Sequence, residues 1–600
     1  MTKLSDFVAR HLADIGVRHV FMLTGGGAMH LNDSFGQEKR IQYVCCHHEQ
    51  ACAMAAEGYA RTSGRLGVVN VTTGPGGINA LNGVFGAWTD SVPMLVISGQ
   101  VKRETCLENY RLTGLRQLGD QEADIVPMVR SITKYAAYVE DPLTIRYHLD
   151  RAIYLASSGR PGPCWLDVPL DVQSAVVDET ELRSYDEKED RLEFDLAAVR
   201  AACRQIADRL KAAARPVVLA GNGIHSARVE AAFDGLIRSL QIPVALSRTA
   251  RDLLGSDDPL YCGRAGMDAD RAGNFTVQNA DVLLVLGSRL GIRQVSYNWQ
   301  SFARNAFVIQ VDTDAAELAK PTVKPDMPVQ CDLAFFLEEL SGHLARTNVD
   351  HRVHSEWLKW CRERVGRYPG VLLQQRAATG ILNPYHFCEY LTQQLSEDDV
   401  VVCGNGAAFI VMFQAGVVKK GQRWFFNSGC ASMGYDLPAA VGAAFARPGK
   451  RVICMAGDGS IQLNIQELQT VVYHRLPVKI FVLNNNGYVS IRQSQQAFFG
   501  RRVGESPASG VSFPDMVKVA AAYGLPALRI ERANMENGIA RALAEPGPVL
   551  CDVVVDPQQG FEPRVSSRQL PDGRIVSPEI EDMFPFLSRE ELESNRPGSK

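Results

Sequence analysis

The sequence predicts an α/β protein built from three doubly wound parallel-sheet domains. Short runs rich in valine, isoleucine and leucine alternate with amphipathic helical segments along the chain, as expected for strands that are buried on both faces of a parallel sheet. Many of these runs end in glycine, asparagine or aspartate. Such residues are common at the crevice where the strands of an open α/β sheet end.

The 600-residue chain divides into three blocks and a tail. We expect a first domain over residues 1–180, a central domain over 195–345, a third domain over 375–556, and a tail over 557–600 that either closes over the site as a lid or forms an extension. The predicted strands are 20–23, 41–45, 66–71, 94–97 and 164–169 in the first block, 217–219, 282–286 and 307–311 in the second, and 400–403, 423–426, 452–455, 478–483 and 549–554 in the third.

Composition argues against several classes of partner. The net charge is −4 with 22% charged residues, so electrostatics gives no reason to expect nucleic acid or an anionic membrane surface. No apolar run approaches the ~18 residues of a membrane span, and the N-terminus resembles an amphipathic helix rather than a signal peptide. The 14 cysteines contain no Cys-x-x-Cys pair, which favours reduced thiols. We therefore expect a cytoplasmic protein with small-molecule partners.

The third block carries the most informative motif. Four small or acidic residues follow predicted strand 452–455: Gly457, Asp458, Gly459 and Ser460. Asn485, which lies 27 positions after Asp458, and Gly487 follow the next strand. The segment between them predicts a helix capped by Asn464, with Glu467 at capping-box distance. Because parallel strands end at one sheet edge, both groups should lie close together.

These residue types suit a diphosphate and a divalent cation. Glycine lets a phosphate approach the backbone, and Mg²⁺ prefers oxygen ligands. The candidate metal ligands are the carboxylate of Asp458, the amide oxygen of Asn485 and the backbone carbonyl of Gly487. Either fragment alone would be an ordinary loop or a hairpin turn, whereas the two at this spacing predict a metal-diphosphate site.

In the first block, Glu49 lies between a predicted strand and the predicted helix 51–62, close to the N-terminus of that helix. An acid in a first turn usually only offsets the helix dipole. The residues around Glu49 indicate a more specific role. The segment from His48 through Glu49 to Arg61, the turn around Pro75, and the Gly-Asp-Gly and Asn-Asn pair resemble the acetolactate synthase-like family of thiamine diphosphate (ThDP, or thiamine pyrophosphate) enzymes, over roughly residues 4–555.

The resemblance implies pyrimidine-binding, central and diphosphate-binding domains, with Mg²⁺ beside ThDP. In that family the carboxyl group equivalent to Glu49 bonds the aminopyrimidine ring and activates the cofactor, and the residue equivalent to Met433 holds the cofactor bent. An ordinary core methionine is the alternative for Met433. Further implied cofactor contacts are Pro75, Asn79, Gly404, Asn405, Gly406, Ser432, Tyr488 and Val489.

The family builds each site from two subunits, which implies a homodimer or a dimer of dimers (a homotetramer). The resemblance also implies that Gly27, His30 and Gln121 are catalytic residues besides Glu49, and that Gln121 lies near the acceptor pocket. The acceptor pocket departs from the acetolactate synthase pattern, because Asp120 replaces an aromatic residue and Ser494 replaces a tryptophan. Both changes make the pocket wider and more polar, which suits a larger acceptor that offers hydrogen-bonding groups.

Segment 24–32, the Gly-Asp-Gln-Glu segment and the tail look most like YerE-type enzymes, which build branched-chain sugars. We therefore expect a decarboxylating carboligase that moves an acetyl unit from pyruvate, or a related 2-ketoacid, to a bulky ketone such as a nucleotide-linked keto sugar. Three alternatives stay open: an acetolactate synthase, a simple 2-ketoacid decarboxylase, and an inactive subunit. The intact Glu49, Asp458 and Asn485 argue against the last.

The central block raises the question of FAD, which acetolactate synthases bind without using it for net redox. Comparable places here are 221–223, 247–248, 263–267, 287–289 and Asp312. A lone Gly-x-Gly is weak evidence for a dinucleotide, and FAD is therefore a candidate cofactor only.

Overall fold

The computed structural model describes residues 1–110, 114–346 and 352–596. The end of the predicted tail, residues 597–600, lies outside them. The described chain contains three six-stranded sheets in which every neighbouring pair of strands is parallel. The predicted fold class, α/β with three doubly wound domains, is therefore confirmed.

The first and third sheets share one topology. The first runs, in spatial order, through Gln42–Cys45, His19–Met22, Gly67–Val71, Met94–Gln100, Pro163–Pro169 and Tyr135–Tyr138. The third runs through Arg423–Phe426, Val400–Cys403, Val452–Gly457, Val478–Asn484, Val549–Val554 and Ala527–Ile530. Numbered along the chain, both have the order 2-1-3-4-6-5. The sequence alone did not establish this relationship.

The central sheet is different. Its spatial order is Tyr261–Arg264, Val244–Leu246, Pro216–Ala220, Val282–Leu286, Phe307–Asp312 and Met327–Gln330. Numbered along the chain this is 3-2-1-4-5-6, the order of dinucleotide-binding sheets, whose ligands bind where the order reverses.

Helices cover both faces of the sheets. Their bounds are Leu4–Asp14, Met29–Gln37, Glu49–Ser63, Pro75–Asp90, Ile125–Val129, Ile145–Ser157 and Leu170–Ser174 in the first domain; Leu196–Ala212, Gly223–Ser226, Glu230–Leu240, Arg271–Gln278, Ile292–Val295, Ala315–Ala319 and Leu333–Arg346 in the central one; Arg352–Arg367 and Leu373–Ala377 in the connector; and Pro384–Gln393, Ala407–Ala415, Asp436–Ala446, Glu467–Tyr473, Val489–Phe498, Met516–Ala522, Met535–Ala544 and Arg589–Ser594 beyond it.

Successive strand side chains point to opposite faces of a sheet, and here both faces are buried. In the first sheet Val20 and Met22 join one apolar cluster, whereas Phe21 joins another. The cluster that contains Phe21 also contains Val402 and Ile480 of the third sheet. The first and third domains therefore share one continuous core, which explains why their strands are apolar throughout.

Two glycines let the helices of this shared core cross closely. Helix Glu49–Ser63 packs against helix Asp436–Ala446. A Cβ atom on Gly58 would lie 2.2 Å from the Ala439 carbonyl oxygen, and one on Gly442 would lie 1.8 Å from the carbonyl oxygen of Ala55. Backbone contacts this close exclude any larger side chain, so the first residue of the Glu49 helix is fixed relative to the third domain.

Five strands of the six-stranded sheets were not predicted: Tyr135–Tyr138, Val244–Leu246, Tyr261–Arg264, Met327–Gln330 and Ala527–Ile530. Four of them lie at sheet edges, and the fifth, Val244–Leu246, lies next to an edge. Each has only three or four residues, and none contains the consecutive valine, isoleucine, leucine or phenylalanine residues that marked most of the predicted strands. Two further two-stranded sheets, Thr2–Lys3 with Val176–Val177 and Arg568–Gln569 with Ile575–Val576, were not predicted either.

The described tail crosses from the third domain to the central one. Arg492 donates to the Pro557 carbonyl, and Asn274 donates to the Ile580 carbonyl at 2.9 Å. The Glu581 carboxylate is almost fully buried and bonds Arg304 at 2.8 Å. The tail is thus packed against the protein up to residue 596, and its role as a lid stays a prediction. No helix among the described residues is long and apolar enough to span a bilayer.

Candidate active site

The Gly457–Ser460 segment and the Asn485–Gly487 segment meet at one sheet edge, as predicted. Their strands are direct neighbours, with Gly457 paired to Leu483. One carboxylate oxygen of Asp458 accepts from the Gly459 N–H at 2.9 Å, and the other accepts from the Gly487 N–H at 3.1 Å. Burial raises the pKa of Asp458 to about 7, so the carboxylate lies in surroundings where a cation would stabilise its charge.

Asn485 has an unsatisfied acceptor. Its side chain is 4% exposed, and no described residue donates to its Oδ1 atom. Several buried polar atoms of the described chain lack a partner, and Asn485 Oδ1 belongs to the loop whose Gly487 N–H bonds Asp458, where a bound ion would provide one. No cluster of three or more His, Cys, Asp or Glu side chains in the described chain could hold a metal. An oxygen set from Asp458, Asn485 and a diphosphate fits a hard cation better.

Close packing leaves no room beside Gly459. A Cβ atom on Gly459 would lie 2.1 Å from the ring of Tyr488, the residue before helix Val489–Phe498. Val489, the first helical residue, is buried. The predicted cofactor residues Gly459, Tyr488 and Val489 are therefore brought together.

Asp436 joins three of the predicted loops, and the sequence analysis did not identify it. Its carboxylate accepts from the Ser460 hydroxyl at 2.7 Å, and a Cβ atom on Gly404 would lie 2.2 Å from it. The Ser460 hydroxyl accepts from the Gly434 N–H at 2.9 Å. Burial raises the pKa of Asp436 to about 6. Only its place two residues after a predicted motif, Met433-Gly434, could have drawn attention to it.

The other predicted residues of this domain lie on adjoining loops. Asn405 donates from Nδ2 to the Ser432 carbonyl at 2.5 Å. Gly406 has a φ of 61° and precedes helix Ala407–Ala415. The Met433 side chain is 38% exposed, so it is not a core methionine, and its surface is available to a ligand.

Glu505 and Arg492 support the Asn485–Gly487 loop from behind. Their side chains bond at 2.7 Å, and both are buried. The Glu505 carbonyl accepts from the Tyr488 N–H at 2.9 Å. Glu505 lies far along the chain from the motif, and no sequence pattern marked it.

Glu49 is the first residue of helix Glu49–Ser63, as predicted to within two residues. It is 6% exposed, and its Oε2 atom accepts from Asn79 Nδ2 at 3.0 Å. Asn79 lies one turn into helix Pro75–Asp90, whose first residue is Pro75. The predicted residues Glu49, Pro75 and Asn79 are therefore adjacent.

A hydrogen-bond chain links the Glu49 segment to the Ser432 loop of the same subunit, and the expectation that each site combines two subunits stays a prediction. Asn82 donates from Nδ2 to the Gln50 side chain at 2.9 Å and to the Ser432 hydroxyl at 2.8 Å. Gln50, which follows Glu49, and Ser432, a predicted cofactor residue of the third domain, thus accept hydrogen bonds from the same Asn82 nitrogen.

The predicted helix cap at Asn464 is wrong. Residues Ile461–Asn464 form a 3₁₀ turn, and the helix begins at Glu467. Asn464 instead donates to the Gly434 carbonyl at 2.7 Å, and Glu467 accepts from the His47 N–H at 2.9 Å. Both side chains serve contacts between loops and domains, which local capping rules do not anticipate.

Two of the predicted catalytic residues, Gly27 and Gln121, lie beside the turn at residues 72–74. Gly27 donates its N–H to Thr72 at 3.1 Å, and its carbonyl accepts from Gln173 at 2.7 Å. His30 is half-buried in helix Met29–Gln37. Gln121 is exposed with a φ of 62°, and a Cβ atom on Gly74 would lie 1.9 Å from its carbonyl oxygen. No contact between His30 and Gln121 is recorded in the described chain.

A cavity of about 740 Å³ lies at the reversal point of the central sheet and extends to both other domains. Gly223, Arg248, Ser288, Arg289 and Asp312 are among the described residues that line it. The predicted segment 263–267 does not, because Met267 packs against the tail residues Val565 and Met583. The described lining has seven arginines and four acidic residues: Arg61, Arg160, Arg228, Arg248, Arg289, Arg293, Arg423, Asp90, Asp312, Glu317 and Asp332.

Three family models match the chain in order. They describe the N-terminal thiamine pyrophosphate binding domain over residues 2–126, the central domain over 203–340 and the C-terminal thiamine pyrophosphate binding domain over 404–553 of thiamine pyrophosphate enzymes. The chain belongs to the thiamine pyrophosphate enzyme family. The third match contains the Asp458 and Asn485 loops, and the first contains Glu49.

Similar curated proteins carry the name acetolactate synthase. A probable acetolactate synthase 2 of Oryza sativa is 33% identical over 94% of this chain and 85% of its own length. The acetolactate synthase large subunit of Lactococcus lactis is 31% identical over 94% of each chain. That of Porphyra purpurea is 32% identical over 94% of this chain and 93% of its own. This ThDP enzyme is therefore acetolactate synthase-like, as predicted.

Proposed function

We propose that this ThDP enzyme is a decarboxylating carboligase that transfers the acetyl unit of pyruvate, or the acyl unit of a related 2-ketoacid, to a bulky ketone, for example the ketone of a nucleotide-linked keto sugar. The main support for the proposal is that Ser494 stands where the acetolactate synthase pattern has a tryptophan. Ser494 is exposed on helix Val489–Phe498, and its hydroxyl donates to the Ile491 carbonyl at 3.0 Å. The tryptophan of the acetolactate synthase pattern would fill this space. Asp120, which is also exposed, adds a carboxylate that can accept hydrogen bonds from the substrate.

We propose that Asp458, Asn485 and the Gly487 carbonyl hold Mg²⁺ against the diphosphate of ThDP. The unsatisfied Oδ1 atom of Asn485 and the buried carboxylate of Asp458 support this, because both need a positive partner. Gly457, whose Cβ position has no atom closer than 3.9 Å, leaves room for a phosphate group beside the backbone. Bound ThDP supplies the nucleophilic carbon that reacts with the ketoacid carbonyl.

In this proposal Glu49 is the residue that exchanges a proton with the cofactor. Its carboxyl group is buried, and Asn79 orients it through the 3.0 Å hydrogen bond. A carboxyl group held in one orientation can keep a proton on the pyrimidine ring of the cofactor and exchange it during activation. Met433, whose side chain is partly exposed, provides the apolar surface on which the cofactor rests.

We propose a homodimer, or a dimer of two such dimers. The exposed face of helix Pro75–Asp90 carries Ile78, Phe85 and Trp88, which are 43%, 41% and 37% exposed. Their spacing of seven and three residues places them on one stripe. The stripe lies beside Asn79 and Asn82, so a partner bound there would cover the site. Size-exclusion chromatography with light scattering tests the assembly.

We propose FAD as the occupant of the central cavity. Its volume is in the range of ligand pockets, it lies at the reversal point of a dinucleotide-type sheet, and its excess of arginines suits a diphosphate. A protein purified with FAD would be yellow and release a flavin on denaturation. A colourless protein whose thermal stability does not respond to added FAD would contradict this assignment.

Acetolactate synthase is the second candidate function, because the similar curated proteins carry that name. The deciding experiment supplies the purified enzyme with ThDP, Mg²⁺ and pyruvate, with and without a nucleotide-linked keto sugar. The carboligase proposal predicts slow product formation from pyruvate alone and rapid formation of a branched-chain sugar with the acceptor. Rapid acetolactate formation from pyruvate alone would instead establish the second candidate. Aldehyde release under both conditions would indicate a simple decarboxylase.

A further inference from the structure

The loop before helix Ile125–Val129 holds an unusual backbone conformation at Gln121. Its φ of 62° lies in the left-handed region, which residues other than glycine, asparagine and aspartate seldom adopt. Such a conformation persists only where surrounding contacts impose it, and it is often associated with function. The contacts that impose it here can be traced.

The first is the side chain of the next residue. The carboxylate of Glu122 accepts hydrogen bonds from backbone N–H groups of Leu107 at 2.5 Å, Leu118 at 2.9 Å and Gly119 at 2.9 Å. Glu122 is only 8% exposed. Burial by itself would raise the pKa of Glu122, but these N–H groups outweigh it and hold the pKa below its usual value. The carboxylate is therefore ionised and joins the start of the loop to the residues just before Gln121.

The second contact holds the chain two residues after Gln121. The Ala123 carbonyl accepts from Gln100 Nε2 at 2.9 Å, and the same nitrogen donates to the buried carboxylate of Asp167 at 3.0 Å. Gln121 is thus held from both sides: Leu118 and Gly119 before it are bound by the Glu122 carboxylate, and Ala123 after it is bound through its carbonyl.

The anchored loop reaches the predicted site. The Gln121 carbonyl lies so close to Gly74 that a Cβ atom there would be 1.9 Å from the oxygen. Gly74 has a φ of 56° and precedes Pro75, the first residue of the helix that carries Asn79. The left-handed turn at Gln121 therefore sets the separation between this loop and the helix whose Asn79 orients Glu49.

We propose that Glu122 is a positioning residue, which holds Gln121 in its left-handed conformation and thereby fixes where the acceptor substrate binds. The inference rests on the proposed function, because it takes Gln121 as a contact to the acceptor. Glu122 itself touches no reacting atom. Decarboxylation of the donor precedes acceptor binding, so a loosened loop impairs ligation while donor turnover continues.

Glu122→Gln is the direct test. A carboxamide has one acceptor oxygen in place of two. It therefore cannot accept the hydrogen bonds of all three N–H groups that donate to the Glu122 carboxylate. Donor consumption and ligated product are measured together, over a range of acceptor concentrations. We expect the KM for the acceptor to rise about tenfold or more, the effect of losing a hydrogen bond to a charged group. We also expect the ratio of released aldehyde to ligated product to rise, with pyruvate consumption changed less than threefold, roughly the size of a minor perturbation.

Glu104→Gln is the matched control. Glu104 belongs to the same loop and is 72% exposed, with a long 3.8 Å ion pair to Lys102. Its substitution is expected to leave the acceptor KM and the ratio of released aldehyde to ligated product unchanged. Amide hydrogen exchange provides a second measurement: the N–H groups of Leu107, Leu118 and Gly119 exchange faster in Glu122→Gln, while those of strand Pro163–Pro169 do not. If Glu122→Gln fails to fold, the same measurements on Glu122→Asp, which keeps the charge but is shorter, decide the matter.

Two results would overturn the inference. One is an equal loss of donor consumption and ligation with an unchanged acceptor KM. The other is wild-type behaviour in both measurements. The acceptor used is whichever one the wild-type enzyme ligates, pyruvate included. An enzyme that ligates only pyruvate would therefore refute the proposed keto-sugar acceptor and still allow the test of Glu122.

Discussion

Asn484 and Asn485 are neighbours in the sequence, but their side chains are satisfied differently. Asn484 donates from Nδ2 to Asp552 at 2.9 Å. Asn485 is buried with an acceptor oxygen that no described residue bonds. An unmet buried acceptor costs about 1–3 kcal/mol, and a protein retains such a group where a ligand provides the partner. This difference supports the proposal that Asn485, rather than Asn484, is the metal ligand.

Asn485→Ala therefore separates stability from cofactor binding. We expect the cofactor-free variant to unfold at the same temperature as the wild type or higher, because the unpaired acceptor is gone. The rise in unfolding temperature on adding Mg²⁺ and ThDP should be much smaller than in the wild type. Asn484→Ala is the control, in which the cofactor-free protein loses stability because Asp552 loses a donor. A full cofactor-induced stabilisation in Asn485→Ala would refute its role as a ligand.

Glu49→Gln tests the other end of the cofactor. Glutamine keeps the shape of the side chain and an oxygen that can accept from Asn79, so folding should be preserved. It cannot exchange a proton as a carboxyl group does, and turnover should fall by at least roughly two orders of magnitude. ThDP binding, measured by thermal shift, should persist. Near-normal turnover would contradict the assignment.

At the scale of elements, the position of Glu49 depends on a helix crossing made of small residues. Gly58 and Gly442 bring helix Glu49–Ser63 and helix Asp436–Ala446 into backbone contact. The crossing aligns the first and third sheets, because both helices pack within the core that the two domains share. Runs of alanine and glycine in these helices are therefore explained by packing between domains rather than by helix propensity.

Gly442→Ala should damage this crossing. The added methyl group would lie 1.8 Å from the Ala55 carbonyl oxygen, and overpacking of this kind typically costs about 1–3 kcal/mol. Urea unfolding measures the loss. Gly235→Ala is the control, since Gly235 lies inside helix Glu230–Leu240 with nothing within 4 Å of its Cβ position. There alanine should raise stability by up to about 1 kcal/mol. Equal effects of the two substitutions would show that the crossing is not tightly packed.

At the scale of the whole molecule, buried charges hold the three domains together beside the central cavity. His225 of the central domain bonds Glu230 at 2.8 Å through Nδ1 and Asp252 at 2.9 Å through Nε2. Asp252 also pairs with Arg423 of the third domain at 2.6 Å, and Arg423 donates to the Arg61 carbonyl of the first. Only a protonated imidazole can donate to both carboxylates.

This network predicts a pH dependence. Burial and the charge of Arg423 would lower the pKa of His225, but the carboxylates of Asp252 and Glu230 outweigh them and raise it above 6.5. The resulting stabilisation is fully present below pH 6.5 and is lost as the pH rises through the folded-state pKa. The difference in unfolding free energy between the wild type and His225→Gln should therefore be largest in acid and shrink in alkali.

His386→Gln provides a control of opposite sign. Burial is the main reason that the pKa of His386 is lowered, so its protonation opposes folding, and replacing it should help stability most in acid. A wild-type advantage over His225→Gln that does not vary with pH would show that the imidazole is not charged in the folded protein.

Much of the site followed from the sequence because its determinants are local. Gly457–Ser460 and Asn485 lie directly after apolar strands, and parallel strands end at one edge, so their proximity could be inferred. Asp436, Glu505 and Glu122 were not recognised as supports, since each acts through contacts to loops that are distant in sequence or through backbone N–H groups. The cap predicted at Asn464 was wrong for the same reason.

The sequence by itself determined the fold class, because strand periodicity and residue type depend on near neighbours in the chain. Its motifs, through their resemblance to known enzymes, indicated the thiamine family and predicted the roles of Glu49, Asp458 and Asn485. Only the tertiary structure decided the shared 2-1-3-4-6-5 order of the outer sheets, the packing of the described tail and the cavity among three domains. It also decided the left-handed turn at Gln121. These features arise where segments far apart in the chain bury surface against one another, and the free energy of that burial is not encoded in any local pattern.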